Sequence, residues 1–373
     1  MTRHRIPIVV LATFMVLAGP LALAEEAPQY VHGDITVPGA SADEPKLEQF
    51  SAALALEYLE QGAAAWTGQR KCVTCHTNGT YMVVRPALSA KLGPPSQAMR
   101  EFFVATLNGF LTEDMETLQQ STRPAQVVYV AAGLAEWDAR VRHDLSMETR
   151  QALSLVFSIQ RASGTWGALD RWPPYESDAY HLATVVAMAA ATAPGWLENT
   201  AASSDDKLKA GVARLKEYLR TETPPHDYSR VLLLWAATRM KDLLDESKKS
   251  ELIELVAKHQ RADGGWSIRT FAAPNAWGAG NRAEKLKAEP DFSDPASDGH
   301  QTGLALIVLR ESGIPADDPR VQKGVAWLLA NQRASGRWWT RSLNTDTYHF
   351  ITYSGTAYPL LALDMCDALP AAK

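Results

Sequence analysis

Ala330-Asn331-Gln332-Arg333-Ala334-Ser335-Gly336-Arg337-Trp338 is a phrase that this chain of 373 residues writes three times. It recurs as Ser158-Ile159-Gln160-Arg161-Ala162-Ser163-Gly164-Thr165-Trp166 and as Lys258-His259-Gln260-Arg261-Ala262-Asp263-Gly264-Gly265-Trp266. In each copy a helical run ends at Gln, a glycine breaks it, and a tryptophan follows two residues later. Glycine permits the left-handed turn that stops a helix. Tryptophan supplies a large plate to bury against the next element, and glutamine can bond backbone groups left open at a helix end. Working outward, the segments Ser51–Leu88, Gln97–Arg140 and Lys207–Leu244 lack the phrase but carry the same helix–turn–helix pattern. With the three phrase-bearing units they make six hairpins, and a repeat of this kind overrides the two or three domains that length alone suggests. No run of alternating strand pattern competes with the helical reading.

The last copy, preceded by Lys323-Gly324-Val325-Ala326-Trp327-Leu328, matches the QW motif of squalene cyclases, and the chain resembles the squalene–hopene cyclase and protein prenyltransferase superfamily over nearly all of residues 47–373. The resemblance implies an all-α fold, a single α/α toroid of six helical hairpins in a closed ring, outer helices around inner ones. It says little about chemistry. The family's cyclases protonate their substrate with Asp-x-Asp-Asp. Here the nearest matches, Ser203-Ser204-Asp205-Asp206 and Pro315-Ala316-Asp317-Asp318, lack the first Asp and read as caps on outer loops.

Ahead of the repeats, Arg3 and Arg5 precede an apolar run from Ile6 to Gly19, and Ala22-Leu23-Ala24 offers a small–x–small cleavage pattern. Residues 1–24 therefore read as a signal peptide, which predicts an exported, periplasmic-type location with no transmembrane span after cleavage. Residues 25–46, rich in Pro, Gly, Ala and acidic side chains, read as an extended leader. The net charge of −5 gives no electrostatic footprint for nucleic acid, and 46% hydrophobic residues suffice for a large core. Three cysteines are too few for a disulfide scaffold, and Cys366 reads as a buried apolar thiol.

The other two cysteines stand in Lys71-Cys72-Val73-Thr74-Cys75-His76. Two thiols three residues apart can reach the two vinyl groups of a haem, with the adjacent imidazole beneath the iron. Asn78-Gly79 and Arg85-Pro86-Ala87-Leu88 resemble the Gly and Pro-x-Leu that follow this motif in many c-type cytochromes. Met82, Met99 and Met115 are then candidates for the sixth ligand. A disulfide between Cys72 and Cys75, or a small zinc site, is the competing reading.

Five of the nine histidines fall where an inner helix begins: His76, His181, His226, His300 and His349. Asp178, Asp227, Asp298 and Tyr348 accompany them. In a toroid these starts ring one mouth, so Asp178, His181, His226, Asp227 and Tyr348 are candidates for acid–base work there. Some of the carboxylates are expected only to cap. Protein prenyltransferase β-subunits bind zinc through an Asp-Gly-Cys step and a later Tyr-His. The resemblance places Asp298, His300 and His349 in those positions, with His for Cys. One Asp and two His suit zinc or a non-haem iron.

A Gly/Ala/Pro/Asn-rich insert, 267–295, is expected to arch over the mouth, and Trp172-Pro173-Pro174-Tyr175 and Arg337-Trp338-Trp339 to supply aromatic walls. The sequence thus predicts an exported haem c redox protein, serving a redox partner protein or a hydrophobic small molecule. The alternatives are a metal-dependent or acid–base lyase or isomerase on an isoprenoid-like substrate, and a binding module without chemistry.

Overall fold

The computed structural model describes residues 27–167, 172–175 and 178–370; the expected signal peptide lies outside them. Twelve helices build the frame. The outer ones are α1 (Ala52–Arg70), α3 (Gln97–Phe110), α5 (Met147–Ser158), α7 (Asp206–Thr221), α9 (Glu246–Lys258) and α11 (Pro319–Asn331). The inner ones are α2 (Asn78–Val84), α4 (Arg123–Trp137), α6 (Ala179–Thr192), α8 (Asp227–Arg239), α10 (Gly299–Glu311) and α12 (Ile351–Met365).

Each inner helix packs on the next, from α2 through α12, and α12 packs back on α2, so the ring is closed. The two classes differ as their positions demand. In the inner helices, Val127–Asp138, Gly299–Leu309 and Ile351–Leu363 are buried without interruption. The outer helices bury one face, and all but α3 start on side-chain caps, with Ser51, Ser146, Asp205, Asp245 and Asp318 each accepting a backbone N–H. Asp205 and Asp318 are therefore caps, as their loops suggested.

The repeated phrase has one geometry in all three places. Trp166, Trp266 and Trp338 are buried, and each indole N–H donates to the carbonyl ten residues earlier, on Val156, Val256 and Leu328, at 2.7–2.8 Å. Gly164, Gly264 and Gly336 sit at φ +89, +91 and +82, and a Cβ on any of them would strike the next outer helix. Each glutamine bonds its own turn and that same neighbouring helix. Gln160 donates to Gly164 O and Gly211 O, and Gln260 to Gly264 O and Arg320 O. Gln332 donates to Gly336 O and Ser51 O, and accepts from Ser51 N–H at 2.7 Å. That last set joins the sixth hairpin to the first.

The leader has more structure than the sequence suggested. Gly33, at φ +56, turns two short antiparallel strands, β1 (Tyr30–His32) and β2 (Ile35–Val37), which lie on α1. Beyond them the chain crosses the ring's seam. Arg337 donates to Pro38 O and Gly39 O and pairs with Glu44, while Ala334 N–H bonds Pro45 O. The mouth at the inner-helix C-termini is latched. Buried Arg239 on α8 bonds Glu136 on α4, Glu311 on α10 and Thr192 on α6, and the two carboxylates hold its guanidinium charged. No helix among the described residues is long and apolar enough to cross a membrane.

Gln332 makes three hydrogen bonds where the ring closes, so Gln332→Ala is expected to cost about 2–4 kcal/mol, counting lost bonds and backbone groups left unpaired. Urea denaturation measures this. A change below about 0.5 kcal/mol would show that the seam does not depend on this side chain.

Candidate functional site

The mouth at the inner-helix N-termini holds a cavity of about 490 Å³. Its walls include Trp66, Cys72, Cys75, His76, Tyr175 and Phe350, with Arg282, Asn344 and Tyr348 toward the rim. That volume is ordinary for a small-molecule or cofactor pocket.

The Cys–His loop is built tightly. α1 ends at Lys71 in the left-handed region, and the chain then reverses over buried Asn78. Asn78 accepts from Thr74 N–H at 2.8 Å and donates to Cys72 O and Thr67 Oγ1. A Cβ on Gly79 would lie 2.3 Å from Thr74 O, so only glycine allows this approach. Neither thiol is joined in a disulfide, and burial pushes that of Cys72 up.

His76 stacks on Phe350 with centroids 4.8 Å apart, and its edge meets Trp66 at 4.7 Å. Burial pulls its pKa down to about 3, so the ring is neutral. Its Nδ1 is engaged with Thr77 Oγ1 at 2.8 Å, and Thr77 Oγ1 in turn meets Tyr30 OH of the N-terminal hairpin at 3.1 Å. The Trp66 indole nitrogen, buried in the same wall, has no hydrogen-bond partner.

Tyr175 forms the floor. Its hydroxyl bonds Ser354 Oγ, which meets His300 Nδ1 at 2.7 Å; His300 Nε2 then meets Tyr228 OH at 3.1 Å. His181 Nε2 meets Tyr129 OH at 3.0 Å nearby. These groups lie inside the ring, around a smaller chamber of about 40 Å³ that His181, Tyr129 and Tyr228 line. Burial lowers the pKa of both histidines, that of His300 to about 3.

The other predicted residues are dispersed. Asp178 caps α6 through His181 N–H, and buried His226 caps α8 through Ser229 N–H, with His226 Nε2 3.6 Å from Asp178. Asp227 faces away from the cavity, pairing with Arg230 at 2.6 Å and His259 at 3.0 Å. Tyr348 does line the cavity, half-exposed and stacked on Phe350.

The metal triad does not assemble. Among the described residues no three His, Cys, Asp or Glu side chains are placed to hold an ion. Asp298 caps α10 through Gln301 N–H and also accepts from Ile268 N–H; both ring nitrogens of His300 are engaged; His349 Nδ1 accepts from Ser342 N–H. Starting successive inner helices put these residues on one level without turning them toward one point.

The insert does reach the mouth. Its Trp277 is buried against His226 at 4.6 Å, and its Arg282 bonds Asn344 at 3.2 Å on the cavity rim. Trp172, Pro173 and Tyr175 are walls as expected. Trp338 is a packing plate instead, and Arg337 clasps the leader. Trp66 and Phe350 were missed. Trp66 lies six residues before Cys72 at the end of a helix, and that proximity was the available signal.

No protein-family model matches the chain, and neither does any curated protein. Solved structures of similar helical architecture include a glycosidase, at 13% identity and TM-score 0.48 over 85% of this chain and 98% of that one. A type II terpene cyclase from Scytonema, in complex with geranylgeranyl dihydroxybenzoate, is 12% identical with TM-score 0.44, over 83% and 98%. These likenesses concern fold alone.

The buried histidines set an expected acid limit. His181 and His300 stay neutral in the fold, whereas unfolded histidine titrates near ~6.5. Burial lowers His76, His226 and His349 as well, so below that pH the unfolded chain binds protons that the fold refuses at all five rings, and stability falls with pH. Asp298, pushed up to about 6 by burial, opposes this, because the folded carboxyl is protonated first. The histidines outweigh the one carboxyl, and stability at pH 5 should lie below that at pH 7 by at least about 2 kcal/mol. Denaturant midpoints at the two pH values test the sign. A higher midpoint at pH 5 would contradict it.

Proposed function

We propose that the upper cavity carries a c-type haem, bound by thioether bonds to Cys72 and Cys75 with His76 Nε2 on the iron, and that the protein is an exported redox protein. The observation that supports this reading most is that both thiols and His76 open on one aromatic cavity. The imidazole is neutral and its Nδ1 is already engaged, as ligation through Nε2 requires. Trp66 and Phe350 would fix the ring plane of His76. Arg282 and Asn344 line the same cavity and would offer donors to carboxylates of such a group. When bound, the haem supplies a one-electron couple. The chain's own part is to orient the ligand, through Thr77, and to exclude water with an aromatic wall. Thioether attachment takes place outside the cytoplasm, which agrees with the expected signal peptide. A redox partner protein is then the natural electron source or sink.

The hydrogen-bonded run Tyr175–Ser354–His300–Tyr228 at the cavity floor favours a second reading, an acid–base lyase or isomerase acting on a hydrophobic, isoprenoid-like molecule. In that case Tyr175 is the group that faces the substrate.

Expression with export and haem-attachment machinery should give a red protein whose colour survives denaturation, and the Cys72→Ala/Cys75→Ala double variant should be colourless. A colourless wild type made under those conditions, with both thiols titratable or joined as a disulfide, rejects the haem reading and leaves the second one.

A further inference from the structure

Resting on the haem reading, the remaining walls of the cavity bear on the other face of the iron. Three methionines were candidates for the sixth ligand, and none lines the cavity. Met82 is fully buried in α2, packed toward Gly133 of α4. Met99 is buried with its sulfur 3.5 Å from the Thr67 hydroxyl. Met115 is exposed beside Ser158 on the outside of the ring. Two further imidazoles, His181 and His300, have ring centroids 6.3 and 6.0 Å from that of Tyr175 and are held by Tyr129, Tyr228 and Ser354. His349, between Tyr348 and Phe350, does not line the cavity itself; it packs on Trp339, and its Nδ1 accepts from Ser342 N–H.

Among the described residues that line the cavity, His76 is the one imidazole, and no methionine or lysine joins it. Residues 168–171 and 176–177, which flank the Trp172–Tyr175 wall, are Ala, Leu, Asp, Arg, Glu and Ser in sequence, so they hold no strong-field ligand either. Two phenols remain. Tyr175 is buried with its hydroxyl committed to Ser354. Tyr348 lies at the rim, stacked flat on Phe350 with centroids 5.4 Å apart.

We propose that the haem iron keeps the position opposite His76 open, and that the cavity is a binding site for a small exogenous ligand that attaches through a single atom. Diatomic gases, cyanide and hydroperoxide share this chemistry. Arg282 and Asn344, joined at 3.2 Å, bring hydrogen-bond donors to the rim of the same space. An open position lets a one-electron haem also bind a small molecule, beyond exchanging electrons with a partner.

The test uses the full-length holoprotein, purified with its haem attached. The ferric form should give a high-spin spectrum and bind cyanide. After reduction with dithionite, carbon monoxide should shift the Soret band completely at a 1:1 ratio to haem. A low-spin ferrous spectrum that carbon monoxide leaves unchanged would overturn the open position. So would a ferric phenolate band that disappears in Tyr348→Phe, since Tyr348 would then hold the site. A colourless protein is a different result: it removes the haem, and this inference with it.

Discussion

The bond on which the rest of this molecule depends runs from one repeat to the next through a glutamine side chain. A single helical hairpin cannot bury both of its faces, so each unit is stable only against its neighbours. Gln160, Gln260 and Gln332 fix how close those neighbours come, with a glycine at positive φ allowing contact and a tryptophan filling the space behind. Because Gln332 reaches Ser51, the stack has no free end. Closure sets the diameter of the inner ring, and with it the space between the six inner-helix N-termini where the cavity lies.

The two mouths of that ring are not equivalent. At the C-terminal mouth Arg239 bridges α8 to three other inner helices through two carboxylates and a threonine. A buried pair of this kind adds little net stability over an apolar contact but penalises any arrangement that separates its members. At the N-terminal mouth the comparable pair, Arg269 with Glu289, ties the insert to Arg341 O and Ser342 O in the loop before α12, not inner helix to inner helix. Caps, aromatic walls and an insert surround a space instead. A ring locked at one end can hold a pocket at the other without losing its shape.

Much of this was legible in one dimension. The Gln–Gly–Trp phrases give the hairpins, the hairpin count gives closure, and the histidines do fall at inner-helix starts. The metal triad fails because sequence phase fixes height along the ring axis but not direction. Residues one or two apart at a helix start point about 100° or 200° apart around it. Asp298 therefore turns to its own helix and His300 into the ring. His349, just ahead of α12, meets Ser342. The aromatic lining was half-legible: Tyr175 came from an obvious Trp-Pro-Pro-Tyr loop. Phe350 instead depends on how a neighbouring helix start is rotated, which only packing decides. The leader's strands were hidden because six residues of strand carry too little pattern to stand out.

The contact from Tyr30 to Thr77, and from Thr77 to His76, ties the first described element of the chain to the ring nitrogen behind the Cys–His loop. Tyr30 also meets Phe350 and Tyr353 at the start of α12, so one phenol joins the first hairpin, the last hairpin and the cavity wall, and a disturbance in any of the three is felt at the imidazole.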